Sequence, residues 1–129
     1  YLISSALLGV LAQRLVRVIC RTCIEQIEVA PALIPEIDNP GQDSIKAFHG
    51  KGCIECNHTG FRGRAGIYEL LVVDDSVRKL ILTKATSQSI RESARKKGMT
   101  TLREDGWQKV AKGVTTVEEV LRVTLNEQT

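Results

Sequence analysis

Four cysteines, arranged as two Cys-x-x-Cys pairs and nowhere else, constrain this 129-residue chain more than any other feature. Cys20-Arg-Thr-Cys23 and Cys53-Ile-Glu-Cys56 are separated by 29 residues. Two intervening residues let a tight turn aim both sulfurs at one point, and two such knuckles complete a tetrahedron of thiolates about 2.3 Å from a Zn²⁺ ion. Gly52 before the second knuckle and Asn57 and Gly60 after it are turn-prone residues that let backbone fold around a metal. The long separation is tolerable because loop-closure entropy grows slowly with length. Zinc is the preferred reading, with Cys20, Cys23, Cys53 and Cys56 as ligands. Two disulfides, an iron–sulfur cluster and a redox-active pair stay open beside it. His49 and His58 could substitute as ligands. With four thiolates available they are read as spectators, or as an outer hydrogen-bond donor in the case of His58.

A closed four-thiolate site does no chemistry of its own; it folds a small module that irregular residues could not otherwise stabilise. Function therefore has to lie elsewhere. A net charge of +3 is too mild to demand nucleic acid, and 4% aromatic residues offer no stacking platform for single strands. The chain holds no Gly-x-x-x-x-Gly-Lys-Ser/Thr phosphate loop, no His-Glu-x-x-His, no Gly-x-Ser-x-Gly and no Asp-rich calcium loop, so no catalytic residue is assigned. The apolar opening stretch Tyr1 to Ala12 is short of the roughly 20 residues that span a bilayer, and it lacks the flanks of a signal peptide. A chain that opens inside such a stretch reads as an excised piece of a longer protein.

Ile3, Leu7, Leu11 and Leu15 recur every four residues, which predicts a largely buried helix from Tyr1 to about Val18 whose packing partners are not evident in the rest of the chain. Arg14 and Arg17 would complement its C-terminal dipole or sense a phosphate. Gln26–Val29 reads as a strand leading into an acidic, proline-bearing excursion, and Gly66–Val73 as a mostly buried strand. Helices are expected at about 76–84, at 87–97 ending at Gly98, after the capping box Thr101-Leu-Arg-Glu104, and after Thr116-Val-Glu-Glu119. Trp107 is expected to anchor a core. The fold class is thus mainly α with a small β and irregular zinc module. Gly60-Phe-Arg-Gly-Arg-Ala-Gly66 reads as a glycine-rich loop whose Arg62 and Arg64 present forks suited to phosphate or carboxylate, with a bland solvent-facing turn as the alternative. An ion pair with the acidic residues Glu25, Glu28, Glu36, Asp38 or Asp43 would make those arginines structural.

Leu11-Ala-Gln-Arg-Leu-Val-Arg17 before the first knuckle, the run from Gly52 through Cys-Asn-His-Thr-Gly-Phe-Arg-Gly-Arg-Ala-Gly-Ile-Tyr-Glu-Leu-Leu71, and the ending Leu102 to Thr124 together resemble the C-terminal end of the secretion ATPases, the type II secretion ATPase and the type IV pilus assembly ATPase. The resemblance implies a C-terminal fragment of a RecA-like motor ATPase: residues 1–19 as the last helix of the motor core, 20–66 as the metal module, 67–129 as a strand and helical subdomain. It also implies a hexameric ring of like subunits that uses ATP and Mg²⁺, cytoplasmic and peripheral to the inner membrane, with inner-membrane platform proteins as partners. The phosphate loop and acidic and histidine boxes of that family would lie upstream, so the fragment alone should not hydrolyse ATP. Arg62 and Arg64, and less so Arg14 and Arg17, become candidates for contacts between subunits. The family commonly has Pro near the first knuckle where this chain has Arg21, which should loosen that turn. A free-standing zinc-ribbon module that binds protein or nucleic acid is the alternative from another class.

Overall fold

A computed structural model describes residues 8–34 and 43–125. Its frame is an antiparallel ribbon of two long strands, β1 (Gly9–Ile19) and β4 (Phe61–Val72), in register from Gly9 opposite Val72 to Arg17 opposite Arg64, with a shift before Ile19 meets Phe61. A second ribbon, β2 (Ile24–Val29) with β3 (Ile45–Gly50), is inserted between them. The turn from β1 to β2 is the first cysteine knuckle, and the link from β3 to β4 contains the second. The two ribbons therefore meet at the four cysteines.

Four helices follow: α1 (Asp75–Leu82), α2 (Ser87–Lys96), α3 (Leu102–Ala111) and α4 (Val117–Thr124). Each starts where a side-chain oxygen can satisfy an orphan N–H: Asp74, Thr86, Thr101 and Thr116 all accept from a backbone N–H three residues on. Gly98 and Gly113 follow α2 and α3 with φ of +101° and +76°, as helix-ending glycines should. The four helices expected in the last third of the sequence are present. The expected predominance of helix is not, because strands and helices occupy nearly equal lengths of chain.

The largest correction is the first element, which is a strand over Gly9–Ile19 and not a helix. The reason is arithmetic: a spacing of four lies close to a helical turn, yet it is also a multiple of the strand period of two. Leu11 and Leu15 share one face either way, and β-branched Val10, Val16, Val18 and Ile19 favour the strand once β4 supplies a hydrogen-bonding partner. The helix-dipole role expected for Arg14 and Arg17 falls with it, and Ile3 and Leu7 lie outside the described residues. β4 likewise begins five residues before the expected strand and crosses the expected boundary at 66/67. It is half-buried and alternating, with Tyr68, Leu70 and Val72 exposed.

Helices α3 and α4 cover one side of both ribbons. Trp107, Val110, Val117 and Val120 pack with Ile34, Ile45 and Ala47 over the inserted hairpin, so Trp107 is the core anchor expected of it. Leu102 packs with Val16 and Ile67 over the long ribbon. Glu69 orients the helices on β4: it accepts from both Arg91 guanidinium nitrogens, at 2.7 and 3.1 Å, and from the Leu102 N–H at 2.9 Å.

Candidate metal centre and its latch

The sulfur atoms of Cys20, Cys23, Cys53 and Cys56 all lie within 4.8 Å of one another, and three are buried. Their contacts are 3.8 Å for Cys20 to Cys53, 3.8 Å for Cys23 to Cys56 and 3.7 Å for Cys53 to Cys56. A tetrahedron whose corners stand about 2.3 Å from its centre has edges of about 3.8 Å. The cluster is thus dimensioned for one thiolate-bound ion and leaves no room for an assembly of several irons. No disulfide joins any two of the four.

Backbone donors face the sulfurs, as thiolates require. The N–H of Gly52 points at the Cys23 sulfur at 3.3 Å, and those of Cys53 and Gly60 point at the Cys56 sulfur at 3.3 and 3.2 Å. Burial pushes the Cys56 thiol up, but the Cys53 and Gly60 N–H groups outweigh it and hold the thiol down at about 6. Burial dominates at Cys23 and pushes it up to about 11. His49 and His58 are not among the clustered donors. His49 pairs instead with Glu25 across the β2–β3 ribbon at 2.6 Å, and His58 donates its backbone N–H to the Cys53 carbonyl at 2.7 Å.

Sequence reasoning missed how the knuckles are tied to the helices. Arg17, three residues before Cys20, donates its backbone N–H at 2.8 Å and its guanidinium at 3.1 Å to the buried carboxylate of Glu119, which also receives two bonds from Arg122, both 2.9 Å. Thr115 donates to the Arg17 carbonyl at 2.7 Å, and Ile19 N–H donates to the Val114 carbonyl at 2.9 Å. Arg21 donates to the carbonyls of Ile19 and Gly113. The first knuckle is therefore pinned to the α3–α4 turn, with Arg21 among the ties. Glu119 was visible in the sequence only as the fourth residue of a capping pattern. Thr116 does cap the helix through the Glu119 N–H, but the Glu119 side chain is drawn away to Arg17.

Burial raises the Glu119 carboxyl, and the Arg122 and Arg17 donors outweigh it and bring it to about 2. A carboxyl held low in the folded state stabilises the fold above its ordinary range near 4.5 and loses that contribution as pH falls towards about 2. Glu119→Gln should cost about 2–4 kcal/mol at neutral pH. The gap between its unfolding curve and that of the unsubstituted protein should close between about pH 4.5 and 2. A gap independent of pH would mean that shape and not charge holds the latch.

Arg62 and Arg64 lie on strand β4 and not on a loop. Arg62 contacts Glu55 of the second knuckle at 3.4 Å, both side chains exposed, and of the acidic residues expected as partners it meets none of Glu25, Glu28 and Asp43, while Glu36 and Asp38 lie outside the described residues. Arg64 is exposed opposite Arg17, and Arg17 lies over the Phe61 ring, 4.2 Å from its centroid. Arg14 bonds the carbonyl of its neighbour Gln13.

The sequence pattern of the family described as Type II/IV secretion system protein matches residues 1–122. This chain belongs to that family. It is 44% identical over 124 residues to the type II secretion system ATPase E of Vibrio cholerae, covering 96% of this chain and 24% of that protein. Against the type II secretion system protein E of Pseudomonas aeruginosa it is 46% identical over 129 residues, covering 98% and 25%. Against the type IV pilus assembly ATPase PilB of Thermus thermophilus it is 44% identical over 125 residues, covering 95% and 14%. The chain thus spans a quarter or less of the length of these relatives. Identity alone does not separate the secretion branch from the pilus branch. Among the described residues no helix is long and apolar enough to cross a membrane.

Proposed function

We propose that this chain is the C-terminal, zinc-bearing part of a hexameric ATPase that powers type II secretion by driving pseudopilus assembly at the cytoplasmic face of the inner membrane. The observation that carries the reading is the 44% identity along nearly the whole chain to a protein named a type II secretion ATPase. On this reading residues 1–19 close the motor core, residues 20–66 form the metal module and residues 67–129 the helical subdomain. Cys20, Cys23, Cys53 and Cys56 hold one Zn²⁺, which closes the module and has no open position for catalysis. ATP and Mg²⁺ bind elsewhere in the longer protein, and inner-membrane platform proteins receive the work.

The longer protein should hydrolyse ATP in the presence of Mg²⁺ and carry a phosphate loop, whereas the 129 residues alone should give no heat on titration with Mg-ATP in the micromolar range. A longer protein without ATPase activity would defeat the motor reading and leave a free-standing zinc-ribbon module. Saturable tight binding by the 129 residues would reveal a nucleotide site here.

Arg62 and Arg64 serve the ring in this proposal, reaching charge held by a neighbouring subunit from a strand anchored at the second knuckle. An arginine that stabilises transferring phosphoryl charge is worth about 10³-fold or more in rate. Arg62→Ala or Arg64→Ala should move stability by no more than about 0.5 kcal/mol, because both are exposed. The same changes should lower the ATPase rate of the longer protein about tenfold or more. A marked loss of stability with the rate intact would make the arginines structural.

A further inference from the structure

The two cysteine knuckles are held differently. Around the first, the Ile19 N–H bonds the Val114 carbonyl, Thr115 bonds the Arg17 carbonyl and Arg21 bonds the Gly113 carbonyl, so the α3–α4 turn clamps it. Cys20 and Cys23 are 1% and 4% exposed. The second knuckle has no such clamp among the described residues. Its backbone hydrogen bonds stay within the turn, as from the His58 N–H to the Cys53 carbonyl, or reach the first knuckle through Lys51, Gly52 and Gly60. Ile54 beside Cys53 is 80% exposed, and Cys53 alone of the four cysteines is not buried.

Within this open turn the sulfurs of Cys53 and Cys56 stand 3.7 Å apart, and each accepts the other residue's backbone N–H. These reciprocal bonds belong to the turn itself and keep the pair side by side without help from the other knuckle. Cys20 is nearly as close to Cys53, at 3.8 Å, but it lies 33 residues away in the chain, and its approach depends on the two ribbons staying joined at the cluster. A sulfur that leaves the cluster therefore keeps Cys56 as its neighbour, because only a short loop connects them. Thiolates are the form of cysteine that oxidants attack, and among thiolates the exposed one reacts first.

We propose that Cys53 is an oxidant-modification site, at which a peroxide converts the Cys53–Cys56 knuckle into a disulfide and so releases the metal. This rests on the reading of the cluster as a zinc site. The Cys53 thiolate takes one oxygen of the peroxide as the O–O bond breaks, and the other oxygen leaves as hydroxide. The Cys56 thiolate then attacks the Cys53 sulfenic acid, forming the S–S bond and expelling a second hydroxide. Each sulfur loses one electron, the peroxide gains two, and two protons from solvent turn the hydroxides into water. Cys20 and Cys23 are left as thiolates, two ligands where a closed site needs four. The β2–β3 ribbon is then no longer fixed against α3 and α4. A thiol reductant with added zinc reverses both steps.

The test takes the full-length protein, measures its zinc, and titrates it with hydrogen peroxide while a chromogenic chelator reads released metal. Free thiols are blocked with light N-ethylmaleimide, the sample is reduced, and newly freed thiols are labelled with the heavy form before peptide mapping. At half release Cys53 and Cys56 should carry the heavy label together, Cys20 and Cys23 the light one, with one zinc freed for each disulfide formed. Dithiothreitol and zinc should restore the starting metal content. Heavy label on Cys20 or Cys23 ahead of Cys53, or spread evenly over all four, would overturn the proposal. So would zinc retained with all four cysteines light, or a loss that reductant cannot reverse. A protein that holds no zinc at the outset would overturn the zinc reading and this one with it, whereas zinc present and indifferent to peroxide defeats this one alone.

Discussion

Cys53→Ser should remove the metal and unfold most of the chain with it. A four-thiolate zinc site in a small module supplies on the order of 10 kcal/mol at neutral pH, as much as the whole stability of an ordinary domain. The loss will not stay local. Cys53 sits where the two ribbons join, and the β2–β3 ribbon supplies Ile45 and Ala47 to the core that surrounds Trp107. Without the sulfur tetrahedron the hairpin has no fixed orientation against α3 and α4, and that core opens. Trp107 is the single tryptophan and only 3% exposed, so its emission should shift to the red on substitution or on chelation of the native protein. Elemental analysis should find one zinc per chain before and none after. A metal-free protein that keeps buried Trp107 emission and holds two disulfides would overturn the site.

Gly60→Ala should also be strongly damaging, although it replaces no cysteine. Gly60 has φ of +82°, where a side chain costs about 1–2 kcal/mol. A β-carbon there would also lie 2.4 Å from the Gly50 carbonyl oxygen, and one at Gly50 would lie 2.2 Å from the Gly60 oxygen. Backbone against backbone cannot yield as a side-chain tip can, so the strands must separate. The Gly60 N–H faces the Cys56 sulfur and its carbonyl accepts from the Cys20 N–H at 2.9 Å, which joins both knuckles through this one residue. The expected loss is about 2–5 kcal/mol, with weakened zinc retention in a chelator competition. Gly63→Ala is the matched control: its φ is +89°, but a β-carbon there would meet nothing within 4 Å. If the two variants prove equally destabilised, backbone conformation and not the close approach of Gly50 is the cause.

The four-cysteine cluster was legible in the sequence because its information is local. Two residues between cysteines define a knuckle whatever surrounds it, and the two knuckles come together as the spacing implied. The helices were legible for the same reason, since Asp74, Thr86, Thr101 and Thr116 act on N–H groups three residues away. What the residues could not decide is everything that depends on a distant partner. Leu11 and Leu15 satisfy helix and strand alike, and only the pairing of Gly9–Arg17 with residues of β4 selects the strand. Arg62 and Arg64 look like loop residues until β1 provides the ladder that straightens them. Glu119 completes a local capping pattern, yet its carboxylate turns to the Arg17 N–H, 102 residues earlier in the chain. A buried carboxylate goes where the most donors converge, and only the tertiary structure sets that convergence.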